Sequence, residues 1–553
     1  MLLIVGLDGA SLDLARPWAE TGELPHLQRL LAQGAWGPLR STMPPATFPA
    51  WTTFMTGVNP GRHGIFDFTR RVAGAYRVQF INGSFRKVPT VWSRLSAAGR
   101  RVAVFGVPGT YPPEPINGQM VSGFDTPVTT RADASFVHPP ELAQEVAANG
   151  GFPFADFQEF KVDRDWYREA LRRLLEGIAI KTRFVARQLR RERWDCATVV
   201  FGESDTVAHH FWRFCDPQSP RHDADGAREF GGAIRAVYAA LDRAIGELVD
   251  AAEPSTVLVC SDHGFGGVGR TVVHLNGQLA RAGLLHWRDR RVASRAATLG
   301  KRWLLRGLPP SVQARCFRLG GGRFADALES ASRFADIDWK QTRAFSEELN
   351  YAPSVWLNVS GRDTLGIVAS SEYDRTCDEV TAALGELRDP DSGEPIVAHV
   401  WHRDELYHGP WVQFAPDLTV ELALPGGYSY ACLPTRLSVG DDPVRVATTA
   451  EMTGGKLTGM SGSHRRDGLF VLSGAVRPVG FLTADICDMA PTILTLCDVP
   501  IPSDFDGRSL VGVGAPEWAA SYTTSDAIES EHAYTSDEER TIERRLQALG
   551  YLA

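Results

Sequence analysis

Three apolar stretches of this chain each run into an acidic residue. Leu2–Leu7 stops at Asp8, Thr198–Phe201 leads to Asp205, and Thr256–Cys260 leads to Asp262-His263. Asp205 and His209 are four residues apart, so one turn of helix puts both on one face. A further imidazole, His464, follows the small-residue run Gly459-Met460-Ser461-Gly462-Ser463. Singly, each acid reads as a helix cap or turn former, and each histidine as a hydrogen-bonded polar group. The joint pattern reads differently. In an open parallel sheet the carboxyl ends of the strands share one edge, where ligands bind. Carboxylates gathered there repel one another and resist desolvation, and cations relieve both costs. Mixed Asp/His donors suit Zn2+, with Mn2+ or iron as alternatives, and are too rich in nitrogen for Ca2+. Six such side chains exceed the needs of one tetrahedral ion. Two divalent metal ions about 3.5–4 Å apart are the economical reading, a pair able to clamp the attacking and leaving oxygens of a displacement at phosphorus.

The stretch from Met43 to Gly57, MPPATFPAWTTFMTG, offers a nucleophile. Pro44 and Pro45 hold the approach extended. The spacing predicts Thr47 as N-cap of a helix, with Pro49 in its first turn and Gly57 as its stop. Thr47 Oγ then lies beside free backbone N–H groups, that of Phe48 among them, at the positive end of a helix dipole. The plain alternative is simple capping. A metal ion beside it would ionise the hydroxyl and turn Thr47 into an alkoxide at neutral pH.

Alternating strands and helices must position these residues. Leu2–Leu7, Arg101–Gly106, Cys196–Gly202 and Thr256–Ser261 read as buried strands, and Leu24–Gly34, Pro89–Ala98, Asp165–Arg191 and Gly231–Ala251 as helices. That order implies an α/β fold with a mostly parallel sheet sandwiched by helices. The residues from Asp125 to Asp163, rich in Pro, Gly and Phe, read as long loops near a site. The segment 281–318 holds ten Arg or Lys against one acid, with Trp287 and Trp303 interleaved. It reads as a helical cap insertion whose basic face is either simply solvated or a surface for a phosphate-rich substrate or an anionic membrane. The expected division is a first core part at 1–270, the basic helical insertion at 271–345, a second core part at 346–515, and an acidic linker with a C-terminal amphipathic helix at 516–553. In the second core part, Ser354–Val359 and Asp417–Leu422 read as strands, 459–464 as a flexible loop, and Gly468–Ser473 as a further strand. Ser536 with Glu539 forms a capping box for the last helix.

Composition narrows the classes. With 553 residues and 44% hydrophobic content the chain can bury a large core. A net charge of −8 gives no global basic field, so no nucleic-acid partner is expected. Eight scattered cysteines without a CxxC pair read as buried apolar groups of a reducing compartment. The N-terminus lacks a signal-peptide pattern and no apolar run reaches 18 residues, so a cytoplasmic protein is expected. The oligomeric state is not legible.

These motifs resemble the alkaline phosphatase superfamily, most closely its type I phosphodiesterase/nucleotide pyrophosphatase-like branch. The resemblance covers most of the chain. It rests on Asp8 in GLDG, Thr47 in PPATFPAW, NPGRHGIFDF from Asn59 to Phe68, ESDTVAHH with Asp205 and His209, SDHGF with Asp262 and His263, and SGSH with His464. It implies an alkaline phosphatase-like fold with two metals. One would be bound by Asp205, His209 and His464, the other by Asp8, Asp262, His263 and the nucleophile Thr47. Thr47 would form a phospho-enzyme that water hydrolyses. Nucleotide pyrophosphatases carry an asparagine shortly after their HGI segment, and His63–Phe68 has none. The sulfatase CxPxR pattern is also missing, since Thr47 is followed by Phe48-Pro49-Ala50-Trp51. Arg62 stands as the candidate for a substrate-binding arginine.

The expected function is a two-metal phosphohydrolase acting on phosphodiesters or phosphoanhydrides of a small-molecule substrate. A phosphomonoesterase or phosphomutase on the same scaffold is the alternative. In another class, the chain would be a metal-binding protein without turnover that docks an anionic partner.

Overall fold

The computed structural model describes residues 1–127, 134–154, 162–288, 334, 336–348, 353–435, 442–448, 451–452, 460–474, 479–512, 531 and 533–549. A ten-stranded sheet forms its centre. The sheet runs from Gly480–Phe481 through Ala35–Arg40, Asp467–Gly474, Thr256–Cys260, Leu2–Leu7, Cys196–Phe201, Val102–Val107 and Gly118–Ser122 to Val137–His138, with Ala484–Asp485 also beside Ala35–Arg40. The five strands from Thr256–Cys260 to Gly118–Ser122 pair in parallel. Asp467–Gly474 and Val137–His138 join them antiparallel.

Leu2–Leu7 shows why the sheet is sandwiched. Successive side chains of a strand point to opposite faces. Leu3, Val5 and Leu7 enter one core with Phe184, Phe211 and Val237, from the helices Arg164–Arg191, Glu203–Cys215 and Ala233–Ala252. Leu2 and Ile4 enter the opposite core with Trp51, Trp92 and Ile493, from Thr47–Thr56, Val91–Ala97 and Met489–Leu496. A strand buried on both faces reads as a continuous apolar run, which is why these strands were legible.

A second, four-stranded sheet is built on the ten-residue strand Gly264–Val273, which pairs with Ser429–Cys432, Val444–Val446 and Gly462–Arg465. A third sheet corrects the expected division. Ser354–Leu357 and Leu418–Leu422 do not lie in the main sheet. They pair antiparallel in a separate sheet with Ala344–Phe345 and Val397–His402. This sheet shares a hydrophobic core of its own with the helices Leu275–Arg281 and Tyr373–Leu384, through Leu279, Val380 and Leu384 against Val355 and Leu418. Among the described residues the chain therefore rejoins the main sheet only at Asp467–Gly474, not at 346. Local apolar character could not separate strands of two sheets. The basic segment 281–318 lies, from 289 onward, outside the described residues.

At the C-terminal end, the helix Ser536–Leu549 buries Ile542 and Leu546 against Phe48, Phe68 and Phe124. A capping pair is formed by Thr535 and Glu538, while the side chain of the expected Ser536 lies outside the described residues. Thr535 Oγ1 accepts from Glu538 N at 3.4 Å, and Glu538 Oε2 accepts from Thr535 N at 2.8 Å. No described helix is long and apolar enough to cross a membrane.

Candidate active site

Strand register assembles the site. Leu2–Leu7 lies between the other two acid-bearing strands, with Leu7 level with Phe201 and Gly6 level with Cys260. Asp8, the helix Glu203–Cys215 and Asp262 thus leave the sheet side by side. That helix presents Asp205 and His209 one turn apart. The strand Gly264–Val273 begins directly after His263 and sets Phe265 opposite His464 on Gly462–Arg465. His464 is therefore on a strand, where a flexible loop was expected. The rings of His263 and His464 stack with centroids 3.7 Å apart. All six side chains are buried, His464 being the most exposed at 7%.

The imidazoles share one orientation. His209 Nδ1 lies 3.0 Å from Gly462 O, His263 Nδ1 3.0 Å from Gly264 O, and His464 Nδ1 2.8 Å from Pro45 O. A carbonyl only accepts, so each Nδ1 carries the proton and each Nε2 offers a lone pair. Those lone pairs converge. His209 Nε2 and His464 Nε2 are 3.1 Å apart, and His464 Nε2 lies 3.3 Å from Asp205 Oδ1. His209 Nε2 is 3.4 Å from Asp205 Oδ1. His263 Nε2 is 3.3 Å from Asp262 Oδ2, 3.6 Å from Asp8 Oδ1 and 4.0 Å from Asp205 Oδ1. Two sets, Asp205/His263/His464 and Asp8/Asp262/His263, are close enough to hold a cation each.

Electrostatics point the same way. Burial, reinforced by the charges of Asp262 and Asp205, pushes the Asp8 carboxyl well above the usual carboxylate range. Burial, then the charge of Asp205, raises Asp262 likewise. Burial also pushes Asp205 upward; against it, contact with His209 and His464, in the protonated form that a bound cation would replace, holds that carboxyl well below its ordinary value. His263 is pushed well down by burial and by His464, and His464 is lowered by burial and by His209. Asp8 Oδ1 and Asp262 Oδ2 are buried and accept no hydrogen bond among the described residues. Leaving such oxygens unmatched is costly, and a divalent ion is the partner that three acids and three imidazoles fit.

Thr47 stands against this cluster. The helix Thr47–Thr56 starts one residue earlier than expected, with Ala46 as N-cap, so Thr47 does not cap it. Its Oγ1 lies 3.3 Å from His263 Nε2 instead. This removes the plain capping alternative. Phe48 is the second helical residue, so its N–H is one that the helix cannot bond internally. Its ring packs on Phe68 at 4.7 Å. Farther along the helix, Trp51 Nε1 donates to Asp8 Oδ2 at 3.1 Å. Thr53 Oγ1 lies 2.9 Å from His63 Nε2, which ties the HGI segment to the same helix. Arg62 is directed elsewhere. Its guanidinium binds Asp504 and Asp506, at 3.0 and 3.3 Å to their carboxylates.

The family model described as type I phosphodiesterase/nucleotide pyrophosphatase matches residues 2–436. The chain belongs to that family. Members of the type I phosphodiesterase/nucleotide pyrophosphatase family are two-metal-dependent hydrolases of phosphoesters, and the chain is an enzyme of this kind. Among solved structures it is similar to phosphonoacetate hydrolase from Sinorhizobium meliloti 1021 in complex with phosphonoformate. The likeness has 16% identity and a TM-score of 0.53, over 90% of this chain and 95% of that one. It is also similar to human ectonucleotide pyrophosphatase/phosphodiesterase 5, with 12% identity and a TM-score of 0.46, over 92% and 96% of the chains. At this identity the likeness to the phosphonoacetate hydrolase is one of fold. No curated protein matches the sequence.

Sequence reasoning did not assign the groups that orient the ligands. The carbonyls of Pro45, Gly264 and Gly462 carry no side-chain signal. Trp51 had one, because Gly6 interrupts an otherwise bulky strand, and a strand glycine marks a close approach.

Proposed function

We propose that this enzyme cleaves phosphodiester or phosphoanhydride bonds through a covalent intermediate on Thr47. Two divalent ions would be held by Asp205, His209 and His464 and by Asp8, Asp262 and His263 with Thr47. The convergence of three Nε2 lone pairs on three buried carboxylates, with the Thr47 hydroxyl at its edge, carries this reading.

Bound ions would neutralise the carboxylates, lower the pKa of the Thr47 hydroxyl and offset charge on the phosphoryl oxygens. The chain's own groups do the rest. With its proton given up to water, Thr47 Oγ1 attacks phosphorus and the P–O bond to the leaving group breaks; the alkoxide or phosphate leaves and takes up a proton from water as its basicity requires, and Thr47 stays esterified to the phosphoryl group and its remaining substituent. Water then cleaves the Thr47–phosphorus bond and returns the hydroxyl. The Phe48 N–H, at the helix's positive end, supports the phosphoryl oxygen that gains charge. The three carbonyls that bond Nδ1 keep each ring in one tautomer throughout. Arg62 is set aside as a substrate group, because Asp504 and Asp506 already take its charge.

Zn2+ is the proposed metal, with Mn2+ the alternative, on the mixed nitrogen and oxygen donors. The seven described cysteines are all free, which supports a reducing, cytoplasmic setting. The test is hydrolysis of bis(4-nitrophenyl) phosphate against 4-nitrophenyl phosphate by protein stripped of metal and reloaded with Zn2+ or Mn2+. A metal-dependent rate favouring the diester supports the proposal. A preference for the monoester moves the chain to the phosphomonoesterase alternative, and bound metal without any turnover to a binding role.

A further inference from the structure

We infer that Trp51 is a positioning residue that sets which oxygen of Asp8 faces the metal and couples that ligand to the nucleophile's helix. The inference rests on the metal reading above. Trp51 lies one turn after Thr47 on the same helix, so the two side chains share a face. Its indole is fully buried, and Nε1 donates to Asp8 Oδ2 at 3.1 Å. That bond occupies one carboxylate oxygen. The other, Oδ1, lies toward His263 Nε2 at 3.6 Å and accepts nothing among the described residues. The two oxygens of Asp8 are thereby made unequal before any ion binds.

The sheet is shaped to admit the indole. A Cβ at Gly6 would lie 2.5 Å from Trp51 Cη2 and 2.8 Å from Val200 Cγ2. Only glycine, two residues before Asp8, lets the ring rest over the strand. Phe54 meets the ring edge-on at 5.2 Å and fixes its other side. One rigid side chain therefore joins the strand that ends in a ligand to the helix that begins with the nucleophile. A shift of either element breaks the Nε1–Oδ2 bond. Outer groups that orient metal ligands typically change affinity or activity by about 10–100-fold when removed.

The experiment measures Zn2+ affinity of each site by chelator competition, with kcat and KM on bis(4-nitrophenyl) phosphate, in wild type, Trp51→Phe and Gly6→Ala. Trp51→Phe keeps an aromatic ring but loses the donor. Gly6→Ala keeps the donor but drives the ring away. Both are expected to weaken one of the two ions by about 10–100-fold, leave the other unchanged, and lower kcat while KM stays within about twofold. A purely structural role would weaken both ions together and lower thermal stability in step, which overturns the inference. So does a folded Trp51→Phe protein with both affinities and kcat within about twofold of wild type. Wild type without bound Zn2+ removes the metal reading itself, a result distinct from either.

Discussion

At the residue scale, the chemistry turns on Thr47 and on three histidines of one tautomer. Thr47→Ala is expected to keep both ions, since six other ligands remain, yet to lose turnover by about a thousandfold or more. Thr47→Ser should retain a measurable rate. Steady-state rates with metal counts check both. His464→Ala should bind one ion fewer and lose activity, and two ions in that variant would contradict the ligand assignment. The acids and histidines were legible because their chemistry is written in side-chain type and spacing. Thr47 was legible as a helix-start residue, but its departure from capping was not, since a one-residue shift in helix start lies below what local signals resolve. Arg62 failed because its partners, Asp504 and Asp506, lie over 400 residues away in sequence.

At the element scale, the helix Glu203–Cys215 is held where Asp205 and His209 need it by a buried ion pair. Lys181 Nζ, from the helix Arg164–Arg191, lies 2.8 Å from Glu203 Oε1, and both side chains are 2% exposed. Lys181→Met leaves a buried carboxylate without its cation, and should cost about 3–5 kcal/mol in chemical denaturation. Asp125 does comparable work beside the nucleophile helix. It accepts from Gly109 N and Tyr111 N, at 3.1 and 2.9 Å, and burial pushes its carboxyl up to about 6. An acid raised on folding adds stability at low pH. That contribution is whole below about pH 4 and lost as pH rises through about 6. Relative to wild type, Asp125→Asn should flatten the fall in stability between pH 4 and 7 by about 1–3 kcal/mol, measured with chelator present so that metal-site titration is common to both. An unchanged slope contradicts this. At the C-terminal helix, Leu546→Ala should cost about 2–4 kcal/mol, because Leu546 closes the aromatic cluster that includes Phe48. Amphipathic spacing announced that helix, while its docking surface, drawn from segments hundreds of residues earlier, was not in the local sequence.

At the scale of the whole molecule, the fold brings the ends of three neighbouring strands and one strand of a second sheet to a common point. Buried parallel strands declared themselves as apolar runs, so the α/β class and the site's edge were readable. Membership of Ser354–Leu357 and Leu418–Leu422 in a separate sheet was not, because pairing partners are a tertiary choice. The same assembly makes stability depend on metal. With free Zn2+ at about 100–1,000 times Kd, each ion should add about 3–4 kcal/mol, lost on chelation. The most direct test of the account is to acid-quench the Zn2+-loaded enzyme during turnover of bis(4-nitrophenyl) phosphate and map the adduct by peptide mass spectrometry. A 4-nitrophenylphosphoryl group on Thr47, absent without metal and in Thr47→Ala, is the predicted result. Full turnover with Thr47 unmodified, or undiminished turnover by Thr47→Ala, would contradict it.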